Sequence, residues 1–92
     1  MIKLRKSVQL FAEEMELVLI GNDYKGGWEK EDYLELLSSL QEEVEELRIA
    51  LMSNAQPIES KEDDILREAC DVANFAMMIA DNFGALKRNR GK

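Results

Sequence analysis

The chain has 92 residues, with 12 Lys and Arg against 19 Asp and Glu, which gives a formal net charge of −7. It contains no His and a single Cys, which excludes His-based catalytic triads, His-ligated zinc sites and an intramolecular disulfide, and favours a reducing, cytoplasmic location. The acidic balance argues against a nucleic acid polymer as partner. Because His is absent and Cys occurs once, any catalysis must use carboxylates, a few cationic side chains, or a metal with oxygen ligands.

The composition predicts one all-α domain over residues 1–92, because Leu, Ala, Glu, Lys and Met dominate and aromatic residues make up only 7%. No apolar run approaches the roughly 20 residues needed to cross a bilayer, so we expect no membrane partner. Apolar residues at helical spacing predict a first helix over 2–20, which Gly21 and Asn22 end. Residues 21–30 hold three of the five glycines and predict a loop.

A second helix is predicted over 31–53, where leucines and a valine recur every three or four residues. Pro57 breaks the pattern within 54–60, and Ser60 is predicted to cap a third helix over 61–83, followed by a basic tail over 85–92. Long helices with short connections predict an antiparallel helical bundle. Because so short a chain buries a modest core, we expect oligomerisation to complete the bundle.

Helical projection separates the acidic residues by the direction in which they point. On the second helix, Glu43 and Glu46 form an i, i+3 pair beside the apolar seam, whereas Glu42 and Glu45 face solvent. On the third helix, Glu68 falls inside the apolar stripe, with Asp71 on the same side. A carboxylate within an apolar stripe is costly unless a cation compensates it.

Two kinds of cation could compensate these carboxylates. Arg48 or Arg67 would make the cluster a structural ion pair, and a solvated acidic face is the common explanation for any single acidic group. A divalent metal is the functional alternative, and ligands that are all oxygen favour Mg²⁺, with Mn²⁺ as a substitute. Such a metal supports phosphoryl chemistry, because it neutralises phosphate charge and activates water.

The acidic motifs also resemble a known family. Glu42-Glu43-x-x-Glu46, followed after 21 residues by Glu68-x-x-Asp71, is similar to the EExxE…ExxD signature of the all-α nucleoside triphosphate pyrophosphohydrolases, the MazG-like superfamily. Lys25-Gly-Gly-Trp28 and the run over 71–80 resemble the small single-domain members of phages and archaea. The resemblance covers residues 23–83.

The resemblance implies hydrolysis of a nucleoside triphosphate, often a deoxy or non-standard one, to the monophosphate and pyrophosphate, as in nucleotide-pool house-cleaning. It implies Mg²⁺ bound by the four carboxylates that the projection selects: Glu43, Glu46, Glu68 and Asp71. It further implies a homodimer or homotetramer with sites near subunit contacts.

Three further residues are candidates for binding the substrate. The resemblance implies that Trp28 stacks on the base and that Lys25 reaches a phosphate; Asn74, one turn after Asp71, could bond a ligand. The alternatives are an anchor for the loop, a surface lysine and a helix–helix contact, respectively.

Two other groups are weaker candidates for a role in catalysis or in binding the substrate. Glu42 could act as a base or support a ligand, although its projection faces solvent. Basic residues of the tail could contact phosphates across a subunit interface, or could simply be solvated: Lys87, Arg88 and Arg90.

Two alternative functions stay open at this point. One is a catalytically inactive helical oligomer that serves as a nucleotide-binding or protein-interaction module, with Phe75, Met77 and Met78 as an adaptable surface. The other is a purely structural helical hairpin whose acidic face is solvated. The second alternative predicts that neither EDTA nor Mg²⁺ changes thermal stability.

Overall fold

A computed structural model describes residues 2–54 and 57–86 of the chain. These residues form three α-helices, α1 (Lys6–Gly21), α2 (Tyr33–Met52) and α3 (Ile58–Asn82), with a short 3₁₀ turn at Asp23–Lys25 after α1. No strand occurs among them, which confirms the all-α prediction. None of the helices in this part of the chain combines the length and the apolar character that crossing a membrane requires.

The first helix is shorter than predicted. The helix prediction for residues 2–5 is wrong, because α1 begins at Lys6 and Arg5 has an extended backbone with φ −67° and ψ 157°. Ile2 and Leu4 project into solvent, so a longer helix would gain no packing at this end. At the other end α1 includes Gly21, one residue beyond the prediction, and the backbone N–H of Asn22 caps it.

The third helix begins earlier than predicted. Its first residue is Ile58, and the backbone N–H of Lys61 donates to the carbonyl of Pro57 over 3.0 Å. Ser60 therefore lies inside the first turn, and its predicted role as the cap is wrong. Proline fixes φ near the helical value, here −59°, so the helix can start directly after it. The bounds of α2, and the end of α3, differ from the predicted ones by one or two residues.

Helix α3 lies at the centre of the fold. Helix α2 packs along it and runs antiparallel, because only residues 53–57 connect the two. Helix α1 packs on α3 as well, and among the described residues it makes no contact with α2. A groove therefore runs over α3 between α1 and the start of α2.

Very little of this fold is buried. Among the described residues only Leu36 and Cys70 are buried apolar side chains, and Asn74 is the one buried polar side chain. Within ranges 2–54 and 57–86, seventeen large apolar side chains are exposed, and they occur on all three helices. The helices thus form with an incomplete core, in line with the expectation from chain length.

Candidate functional site

Three of the four predicted metal ligands converge. Glu43 extends from α2 toward Glu68 and Asp71, which are separated by one turn on α3. Each contributes one carboxylate oxygen, and these three oxygens lie within 4.8 Å of one another. All three side chains are half-buried, at the packed contact of the two helices. We call Glu43, Glu68 and Asp71 the carboxylate trio.

Proximity and burial raise the pKa of every member of the trio. Burial and the charges of Asp71, Glu68 and Glu46 raise the pKa of Glu43 from 4.5 to about 7. Burial and the neighbouring acids raise the pKa of Glu68, and burial raises that of Asp71 although Arg67 and Lys25 oppose the shift. A proton on Glu43 therefore relieves repulsion that a bound cation would relieve more fully.

Glu46 lies at the margin of the trio. It is exposed and does not share the 4.8 Å arrangement, although its charge contributes to the raised pKa of both Glu43 and Glu68. Glu42 is also exposed, as the projection indicates. The geometry thus joins three of the predicted ligands directly, with Glu46 close enough to act through its charge.

Neither arginine neutralises the trio by direct contact. Arg48 is paired with Glu45 at 2.6 Å, and Arg67 with Asp64 at 3.3 Å. The charge of Arg67 lowers the pKa of Glu68 and Asp71, but does not outweigh burial. The site keeps an excess of negative charge and offers oxygen ligands alone, which fits Mg²⁺ or Mn²⁺.

An open cleft of about 240 Å³ adjoins the trio. It occupies the groove between the end of α1, the 22–31 loop, the start of α2 and α3. Four of the predicted site residues line it: Lys25, Trp28, Asp71 and Asn74. Asp71 belongs to both the cleft and the trio, so a ligand in the cleft would lie beside a bound cation.

The apolar part of the cleft comes from several elements. Leu36 of α2 and Phe75 and Met78 of α3 contribute its walls. Its volume is slightly below the roughly 300 to 1,000 Å³ typical of small-molecule pockets, and it opens to solvent. An apolar wall with a few polar groups suits a flat ring system that carries polar substituents.

The loop that carries Lys25 and Trp28 is fastened to the end of α3. The indole Nε1–H of Trp28 donates to Asp81 Oδ2 over 3.1 Å, and Asn82 Nδ2 donates to the backbone carbonyls of Trp28 and Glu31. Gly26 has φ 90°, which glycine adopts without strain, so the chain can turn between Lys25 and Trp28. Trp28 therefore anchors the loop while it also lines the cleft.

Replacing Asp81 with Ala should loosen this loop. Because Trp28 is the single tryptophan, we expect its fluorescence to shift to longer wavelength as the indole becomes more hydrated. The lost hydrogen bond should lower the free energy of unfolding by about 1 kcal/mol. Tryptophan emission spectra and urea denaturation would measure both, with exposed Asp63→Ala as the matched control. Unchanged emission in Asp81→Ala would contradict the anchoring role.

Asn74 joins α3 to α1. Its Nδ2 donates to the backbone carbonyl of Met15 over 3.2 Å, and the residue is only 3% exposed. The Oδ1 atom is buried and has no hydrogen-bond partner among the described residues. Both expectations for Asn74 thus retain support, because one end of the amide makes a helix–helix contact and the other end is unpaired.

Two residues that hold the site together have no sequence signal. Asp81 and Asn82 lie ten residues or more beyond Asp71, and nothing in the local pattern distinguishes them from solvated polar residues. Their role follows from where the loop folds back, which depends on tertiary structure. The basic residues proposed for phosphate contact, Lys87, Arg88 and Arg90, lie outside the described residues.

Comparison of the chain with protein-family models, curated proteins and solved structures gives no match in any of the three.

Proposed function

We propose that the chain is a metal-dependent nucleoside triphosphate pyrophosphohydrolase of the MazG-like type. It would convert a nucleoside or deoxynucleoside triphosphate to the monophosphate and pyrophosphate. The observation that carries the proposal is the carboxylate trio beside a cleft that Lys25 and Trp28 line. The same proposal includes that the protein is a cytoplasmic homo-oligomer and that it removes unwanted nucleotides from the nucleotide pool.

The trio has the role of binding Mg²⁺, or Mn²⁺ in its place. Glu43, Glu68 and Asp71 present their oxygens from two packed helices, which holds the donor atoms close together before any cation binds. Glu46, one turn along α2 from Glu43, is available as a fourth ligand on the exposed side. The cation supplies Lewis-acid chemistry, in which phosphate charge is neutralised and water is activated.

The cleft has the role of holding the nucleoside and directing its phosphates toward the trio. Phe75, Met78 and Trp28 offer apolar surface for the base. Lys25 carries a cation near Asp71, since its charge lowers the pKa of that carboxyl. A phosphate placed between Lys25 and a cation at the trio would have positive charge on both sides.

An inactive nucleotide-binding or protein-interaction module is the second candidate. Two observations favour it: Glu46 stands outside the trio, and Trp28 Nε1–H is already bonded to Asp81. A protein with three carboxylates could bind a cation and a nucleotide without hydrolysing the nucleotide. A nucleotide-binding module and the enzyme differ in turnover, not in nucleotide binding.

The proposed activity is tested by pyrophosphate release from a panel of canonical and modified nucleoside triphosphates. We expect release with Mg²⁺ or Mn²⁺ and none with EDTA, together with the monophosphate in equal amount. Chromatography of the nucleotide products separates this cleavage from loss of the terminal phosphate. Binding of the nucleotides without turnover, by folded protein of established mass, would favour an inactive nucleotide-binding module. Absence of both binding and turnover would contradict the enzyme and the nucleotide-binding module, and would leave the protein-interaction module.

A further inference from the structure

Helix α2 carries an apolar surface that the fold leaves uncovered. We define the α2 stripe as five residues at heptad spacing: Leu37, Leu40, Val44, Leu47 and Leu51. Leu40 and Leu47 are half-buried against α3, whereas Leu37, Val44 and Leu51 are 41%, 49% and 52% exposed. Helix α1 does not reach α2 within the described residues, so it does not cover the stripe.

The α2 stripe is free of acidic residues although the helix is rich in them. Five glutamates lie on α2, and by helical projection all fall outside a roughly 120° sector that contains the stripe. The other residues of this sector are Tyr33, Gln41 and Arg48. In a chain of net charge −7, this sector is a face of α2 on which two copies can approach without opposing carboxylates.

The exposed area of the chain also exceeds what a monomer requires. A folded monomer of 10.6 kDa should expose about 5,500 Å², whereas this chain exposes 7,397 Å². The excess of about 1,900 Å² is larger than the roughly 800 Å² that each partner buries in a standard interface.

We propose that the α2 stripe is the interface with a second copy of this chain. The two α2 helices pair antiparallel about a twofold axis at Val44, so that Val44 faces the partner's Val44 and Leu37 faces the partner's Leu51. Antiparallel pairing opposes the two helix dipoles and gives each exposed stripe residue an apolar neighbour. At each end the interface continues to the Phe83 of one copy, which is 70% exposed and packs on Tyr33 at 5.1 Å between ring centroids.

This pairing deepens the homo-oligomer of the proposed function and rests on that part of it. By projection the trio lies outside the stripe sector, so the interface leaves the cation site accessible. The mass of the assembly and the rate of hydrolysis are separate measurements. A monomeric protein that hydrolyses nucleotides would overturn the interface alone, and an inactive dimer would overturn the activity alone.

Val44→Glu tests the interface, because it would place two carboxylates against each other at the twofold axis. Sedimentation equilibrium should show wild-type dimers, and the dimer dissociation constant should rise about 100-fold or more in Val44→Glu. Ile49→Glu is the matched control, since Ile49 is 51% exposed on α2 outside the stripe. Circular dichroism should show that both variants retain their helices, since glutamate is a good helix former.

Two mixing experiments establish the orientation. A mixture of Val44→Glu and Val44→Lys should form dimers at least about tenfold more tightly than Val44→Glu alone. Under mild oxidation, Leu37→Cys mixed with Leu51→Cys should form a disulfide, whereas Leu37→Cys by itself should not. A monomeric wild type, equal effects of Val44→Glu and Ile49→Glu, or self-linking of Leu37→Cys would each overturn this arrangement.

Discussion

Replacing Asp71 with Asn should reduce nucleoside triphosphate hydrolysis by about a thousandfold or more while it raises the melting temperature of the metal-free protein. Asp71 is the residue that the trio and the cleft share, so its loss would remove a proposed cation ligand beside the proposed substrate. The same change removes one of the charges that raise the pKa of Glu43 and Glu68. Pyrophosphate release and thermal melting in EDTA would measure the two effects.

The opposite directions of the two effects make this experiment informative. A substitution that merely damages the fold would lower activity and melting temperature together. Glu45→Gln is the control, because Glu45 is an exposed α2 carboxylate whose partner is Arg48 and which lies outside the trio. It should leave hydrolysis unchanged and change stability little, because solvent screens an exposed ion pair. Full activity in Asp71→Asn would contradict the metal-dependent mechanism.

The second large effect is a pH-dependent response to Mg²⁺. In the folded protein the pKa of Glu43 is about 7, above its ordinary value of 4.5. The folded state therefore binds this proton more tightly than the unfolded chain does, so the contribution of Glu43 to stability is fully present below pH 4.5 and is lost as pH rises through 7. We expect the melting temperature in EDTA to decrease over this window because Glu43 loses its proton against neighbouring charge.

Mg²⁺ should reverse that loss, because the cation takes the place of the proton. The rise in melting temperature on adding Mg²⁺ should be several degrees near pH 8 and small near pH 5, where protons compete for the ligands. Circular dichroism melts at matched ionic strength would measure it, with Na⁺ as the control for screening. Asp71→Asn should respond much less. A protein that melts at the same temperature with Mg²⁺ and with EDTA would instead have a solvated acidic face.

The sequence predicts the helices well because their apolar spacing is strong. It predicts the convergence of Glu43, Glu68 and Asp71 because one turn separates the α3 pair and the projection points them toward α2. It misplaces the start of α3, because Pro57 can precede a helix directly and Ser60 only resembles a cap. Helix periodicity gives the face on which a residue lies, but not how far along a neighbouring helix its side chain reaches.

That limit explains why Glu46 and the loop are harder to predict. Glu43 and Glu46 lie on adjacent turns of α2, yet only Glu43 is opposite the α3 pair. The attachment of Trp28 to Asp81 and Asn82 spans more than fifty residues of chain, and no local pattern encodes it. The same holds for the contact between Asn74 and Met15, which depends on where α1 crosses α3.

The position of Asp71 has a consequence for the thermodynamics of the site. One carboxylate both lines the cleft and belongs to the trio. A cation and a triphosphate that bind there share this side chain, so the two binding equilibria cannot be independent. Because a cation at the trio would neutralise phosphate charge, we expect it to strengthen nucleotide binding. Thermodynamic reciprocity then requires that the nucleotide strengthen cation binding by the same factor. Measured separately, each ligand would bind more weakly than it does in the presence of the other.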